Sequence, residues 1–129
     1  MKNCMLLLFI VLFNTSQINA ACATCLPSGI SFTTQAEIDA FPLNYPGCTT
    51  IEGSVTIGPS SDIINLMGLS QLISINGDLI ISGNENLVEI NGFQNLVSIV
   101  GSLMIMYNPK LVELGSFNVL QLVQTNLLI

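Results

Sequence analysis

The chain is 129 residues long and 50% hydrophobic, and it carries two basic residues against eight acidic ones, for a formal net charge of −6. That length holds one domain. With no histidine, no arginine and two lysines, nucleic-acid binding is excluded, because neutralising phosphates takes clustered Lys or Arg.

In chain order, residues 1–20 read as a signal peptide. Lys2 supplies a short positive region, Met5 to Phe13 is an unbroken apolar run, and Ile18-Asn19-Ala20 offers a small-residue cleavage site. The apolar run falls short of the about 20 residues that a bilayer-spanning helix needs, so no membrane span is expected. A lipid anchor on Cys22 is the lesser alternative, because such signals usually carry leucine three residues before the cysteine, where Asn19 stands. Without the leader, Lys110 faces Glu37, Asp39, Glu52, Asp62, Asp78, Glu85, Glu89 and Glu113, a side-chain balance of −7 that serves solubility.

Export implies an oxidising compartment, which makes Cys22, Cys25 and Cys48 candidates for disulfides. Cys25 with Cys48 is the favoured pair, and closing that loop would constrain the unfolded chain by roughly 3 kcal/mol. Cys22 then competes for the same partner, stays free or pairs outside the chain. A redox motif or zinc half-site at Cys22-x-x-Cys25 is disfavoured, since no histidine or fourth thiol of the mature chain completes a metal site. No cofactor is expected.

Residues 21–50 form an N-terminal cap. Thr34-Gln35-Ala36-Glu37 is a capping box, followed by Ile38, Ala40 and Phe41 before Pro42. The pattern predicts a short helix over residues 34–41, halted by Pro42 and lying over the open end of the repeats that follow.

Residues 51–129 repeat every 24 positions. Gly53, Gly77 and Gly101 form one column; Val55, Leu79, Leu103 and Leu127 another; Ile57, Ile81, Ile105 and Ile129 a third. Further columns are Ile51, Ile75, Ile99, Val123; Ile63, Leu87, Leu111; Leu66, Ile90, Leu114; Leu69, Phe93, Phe117; and Leu72, Leu96, Leu120. One unit alone cannot bury these side chains, whereas stacked units place each column inside a continuous core. The Leu-x-Ile triplets at 79–81 and 103–105 alternate as strands, outer residues inward and the middle one outward, pairing in parallel from unit to unit. Gly77 and Gly101 fit tight turns or close approach, and Ser60, Asn84 and Asn108 share a bend where their side chains can bond nearby backbone. The predicted fold class is an all-β solenoid, a right-handed single-stranded parallel β-helix with a short N-terminal capping helix. It comprises three full repeats and the opening strand of a fourth, and the open end at Ile129 reads either as a truncation or as an edge that meets a partner chain.

The stretch from Ile90-Asn91-Gly92-Phe93 through Leu96, Ile99, Gly101, Leu103, Ile105 and Asn108 to Leu111 resembles the receptor L-domain repeat, a leucine-rich-repeat-like unit. The segment from Cys25 through Phe41 to Asn44-Tyr45-Pro46-Gly47-Cys48 is similar to the N-terminal cap of L-domain-like proteins secreted by bacteria of the Bacteroidetes type. The resemblance covers residues 25–129. It implies a right-handed β-helix, a cap disulfide between Cys25 and Cys48, and a role in extracellular recognition or adhesion.

Three functional classes follow. The first is a non-catalytic binding module, secreted or at the cell surface, whose partner is an extracellular protein or glycan. Its candidate residues are the outward column Thr56, Ile80, Met104 and Leu128, with Met106 and Tyr107 beside it, because outward strand positions on a soluble solenoid are normally polar. The second is a structural spacer within a larger surface protein. The third is a carbohydrate-active β-helix enzyme using carboxylates such as Asp78 and Glu89, disfavoured because Lys110 is the one basic residue outside the leader. The chain is therefore expected not to be an enzyme.

Overall fold

The computed structural model describes residues 23–129. The signal-peptide reading and Cys22 lie outside the described residues. Ten strands follow one another: β1 Thr24–Cys25, β2 Ile30–Phe32, β3 Thr50–Ile51, β4 Val55–Ile57, β5 Ser74–Ile75, β6 Leu79–Ser82, β7 Ser98–Ile99, β8 Leu103–Met106, β9 Leu122–Val123 and β10 Leu127–Leu128. Helix α1, Gln35–Asn44, separates β2 from β3, and a 3-10 turn at Met67–Leu69 separates β4 from β5.

The odd-numbered strands form one five-stranded sheet and the even-numbered strands another, each in simple sequential order and parallel throughout. The chain thus visits each sheet once per repeat, turns a corner between them, and returns over a longer leg. From β3 onward the pairing keeps the 24-residue step: Ser74 lies beside Ser98, Ile80 beside Met104, and Leu103 beside Leu127. Each strand is too short to be stable alone. Side-chain columns beneath the two sheets and the return leg supply the apolar burial that holds them.

Ile51, Ile75 and Ile99 project inward from the odd sheet, Leu79, Ile81, Leu103 and Ile105 from the even sheet, and Leu66, Leu69, Leu72, Ile90, Phe93 and Leu96 from the return leg, all buried. Phe93 stacks on Phe117 of the next repeat with ring centroids 5.6 Å apart and planes 7° from parallel. The corner leaves no room for side chains: a Cβ on Gly77 would strike the backbone of Gly53 and Ser54. Beside it, Asp78 accepts a bond from the Ser102 amide at 2.7 Å and donates its own amide to the Ser54 hydroxyl, linking three successive corners. At the other end of the even sheet, Asn108 Oδ1 accepts from the Asn84 amide and from Asn84 Nδ2, while Asn108 Nδ2 donates to the Ile81 carbonyl. These side chains satisfy bends that backbone pairing alone leaves open.

The structure corrects the sequence reading at three points. First, the odd sheet is a second ladder of strands. Only two residues long in each repeat, its polar-apolar alternation gives no strand signal of its own. Second, residues 23–50 are more than a cap, since β1 and β2 add one further unit to both sheets. Thr24 pairs with Thr50 and Ile30 with Val55, steps longer than 24, and this offset hides the unit from a fixed-period alignment. Third, α1 runs through Pro42 to Asn44. The capping box at Thr34 and Glu37 forms as expected. Pro42 lacks the N–H that would serve the Ile38 carbonyl; that carbonyl instead lies against Gly68, whose missing Cβ makes room for it. The helix continues because Tyr45 N donates to Phe41 O. It forms the return leg of the first unit rather than a lid across its end, packing Ile38 and Phe41 inward beside the 3-10 turn. Gln35 fastens it there, accepting from the amides of Ile64 and Asn65 while its own amide donates to Asp62.

Candidate functional site

Side chains of the even sheet alternate about its plane. Leu79 and Ile81 are fully buried, whereas Ile80 between them is half-buried. Thr56, Ile80 and Met104 therefore stand side by side on the outer face, in register with one another and with Leu128. Met106 shares that face one step along the strand, beside Ser82. Four of the six candidate residues, Thr56, Ile80, Met104 and Leu128, thus form one continuous outer column, and Met106 extends it sideways. Their half-burial comes from their neighbours in the stack, since parallel strands place like side chains about 4.8 Å apart. The result is a flat stripe of thioether and aliphatic surface.

Tyr107 is not part of the sheet. It follows β8 at the bend, is 81% exposed, and has φ +56°, in the left-handed region. Its counterpart one repeat earlier is Gly83, with φ +73°. In these two repeats the bend takes a left-handed residue, which glycine supplies freely and an L side chain adopts at a cost of about 1–2 kcal/mol. Leu26 is the other non-glycine residue with positive φ among those described, and it offsets the strain by packing against the core. Tyr107 has no such packing. With Gly83, Glu85, Asn108 and Pro109 it lines an open depression of about 620 Å³. A second depression of about 260 Å³ lies between β2 and α1, lined by Ser31, Phe32, Glu37 and Tyr45 among others.

The remaining polar groups are structural. Glu37 accepts from the amides of Thr33 and Thr34, which hold its carboxyl below the ordinary value of 4.5. Asp78 sits in the corner between the sheets and Glu89 on the return leg beside Glu113, so the structure does not bring together the carboxylates weighed for acid–base chemistry. Cys25 and Cys48 form a disulfide with Cα atoms 5.8 Å apart. Among the described residues, no His/Cys/Asp/Glu group could hold a metal ion, and no helix is long and apolar enough to cross a membrane.

The family model of the receptor L domain matches residues 47–129. The chain belongs to the receptor L domain family. That family consists of non-enzymatic, extracellular ligand-binding domains, and the Cys25–Cys48 disulfide fits an extracellular location. The match begins just before β3, so the first unit of this L domain, β1 and β2 with α1, lies ahead of it. No curated protein and no solved structure matches the chain. Strain at Tyr107 is the feature that strand alternation alone misses. The signal that could have found it is the column Pro59, Gly83, Tyr107, in which a bulky residue follows a glycine.

Proposed function

We propose that this L domain is an extracellular recognition or adhesion module that engages a protein or glycan through the outer face of its even-numbered sheet, at Thr56, Ile80, Met104 and Met106. In this reading residues 1–20 are a secretion signal, residues 21–50 a cap that also supplies the first unit of both sheets, and residues 51–129 a right-handed, leucine-rich-repeat-like β-helical solenoid that carries the face. The likeness of the cap to secreted bacterial L-domain proteins rests on residues 25–48. What carries the functional reading is the chemistry of the outer column: Ile80 and Met104 occupy positions that face outward and contribute nothing to the fully buried core. Contiguous apolar surface of that kind marks interaction sites.

The test replaces both residues together, Ile80→Ser with Met104→Ser, and measures saturable attachment of labelled protein to intact cells of the source organism. The expected result is an unchanged circular dichroism spectrum with attachment lowered at least about tenfold, as loss of central apolar contacts produces. Unchanged attachment, or loss of folding, overturns the proposal.

A further inference from the structure

The depression beside Tyr107 combines three observations. Its aromatic wall is held in a backbone conformation that glycine adopts in the preceding repeat, and the exposed ring gains no core contact in return. Uncompensated strain at an exposed position points to a function other than folding. Gly83 bears no side chain, so the surface next to the ring is hollow, and Glu85 and Pro109, adjacent in the 24-residue step, also line it.

The polar groups in the hollow define what fits it. Asn108 spends both ends of its amide on Asn84 and Ile81. Glu85 remains as a carboxylate, which accepts hydrogen bonds and donates none. Lys110, the one basic residue among those described, is held aside, its ammonium donating to Asn86 Oδ1 at 2.5 Å. The chain's net charge of −6 adds an overall negative field. A ring face, a carboxylate and a negative field suit a flat cation that only donates. The guanidinium stacks on aromatic rings and pairs with carboxylates in this way.

Resting on the recognition role above, we propose that Tyr107 and Glu85 form a binding site for an arginine side chain of a protein partner, the ring stacking on the guanidinium and the carboxylate accepting from it. Tyr107 is retained for that contact at the expense of the bend.

Isothermal titration calorimetry reads the site in every variant, including those that remove the tyrosine itself. Acetylated triarginine amide is titrated into the protein, with trilysine amide and maltotriose as comparison probes. Saturable binding of triarginine is expected, about tenfold weaker for Tyr107→Gly and for Glu85→Gln, retained by Tyr107→Phe, and changed less than about twofold by Glu113→Gln. Tyr107→Gly is expected to melt at or above the wild-type temperature. Four results each overturn the proposal: no saturable triarginine binding, equal weakening by Glu113→Gln, maltotriose binding that requires Tyr107, or a lowered melting temperature for Tyr107→Gly. The cell-attachment test separates this proposal from the one it rests on. Attachment that needs Ile80 and Met104 without triarginine binding removes only the arginine site, whereas triarginine binding with attachment indifferent to Ile80 and Met104 removes only the recognition face.

Discussion

The two sheets of this molecule are built alike on the inside and differently on the outside. Inward, both carry columns of branched aliphatic residues: Ile51, Ile75 and Ile99 in the odd sheet, Val55, Leu79 and Leu103 in the even sheet. Outward, the odd sheet presents Thr50, Ser74 and Ser98, the two serine hydroxyls hydrogen-bonding to each other at 2.9 Å, and reaches an apolar residue at its last strand, Leu122. The even sheet presents Thr56, Ile80 and Met104 instead. Packing imposes the inner columns on any chain that folds this way, but it leaves the outer columns free. Their divergence at the two middle repeats, Ser74 and Ser98 against Ile80 and Met104, therefore carries information about function.

The largest expected effect sharpens the inside–outside distinction at neighbouring residues. Ile81→Ser should destabilise the protein by about 4 kcal/mol, because it opens a cavity and buries a hydroxyl in a fully enclosed site. Ile80→Ser, one residue away on the outer face, should cost about 1 kcal/mol or less. Urea denaturation of the two variants checks the difference, and equal losses would erase the distinction.

A smaller effect distinguishes the sheets themselves. The Cys25–Cys48 disulfide anchors β1, the first strand of the odd sheet, and has no counterpart on the even sheet. Replacing both cysteines by serine should cost roughly 3 kcal/mol through the freed loop. Hydrogen exchange should show the loss concentrated at β1 and β3, with β6 and β8 close to their original protection. Uniform loss along both sheets would mean that they open as one unit.

The smallest effect concerns the cap of α1, which joins the even sheet to the odd one in the first unit. The folded-state pKa of Glu37 lies below its ordinary value, so the contribution is present above pH 4.5 and is lost as the pH falls through the folded value. The melting-temperature gap between the wild type and Glu37→Ala should therefore narrow as the pH is lowered from 6 to 3. A gap that does not change with pH would contradict this.

The inner columns are legible in the sequence because one register repeats them three times, and like apolar side chains recurring at a single spacing are all buried together when the repeats stack. The outer column can be placed for the same reason: once Leu79 and Ile81 face inward, Ile80 must face outward. Three features escape such a reading. Strands of two residues in the odd sheet are shorter than any alternation test can detect. The first unit departs from the 24-residue step because α1 replaces an extended return leg, and the helix passes Pro42 because Gly68, far along the chain, receives the carbonyl of Ile38. Strand alternation continued past Met106 would turn Tyr107 inward, whereas its backbone dihedral places it at a bend with the ring exposed, a property that no periodicity of side chains records.

Methionine footprinting addresses the functional difference between the two sheets most directly. Met104 and Met106 lie on the even sheet's outer face, while Met67, 50% exposed in the 3-10 turn of a return leg, serves as an internal reference. With the protein attached to intact cells, oxidation of Met104 and Met106 should slow at least about threefold relative to free protein, and Met67 should react as before. Protection of Met67 with Met104 and Met106 unchanged would contradict the assignment of the even sheet as the recognition face.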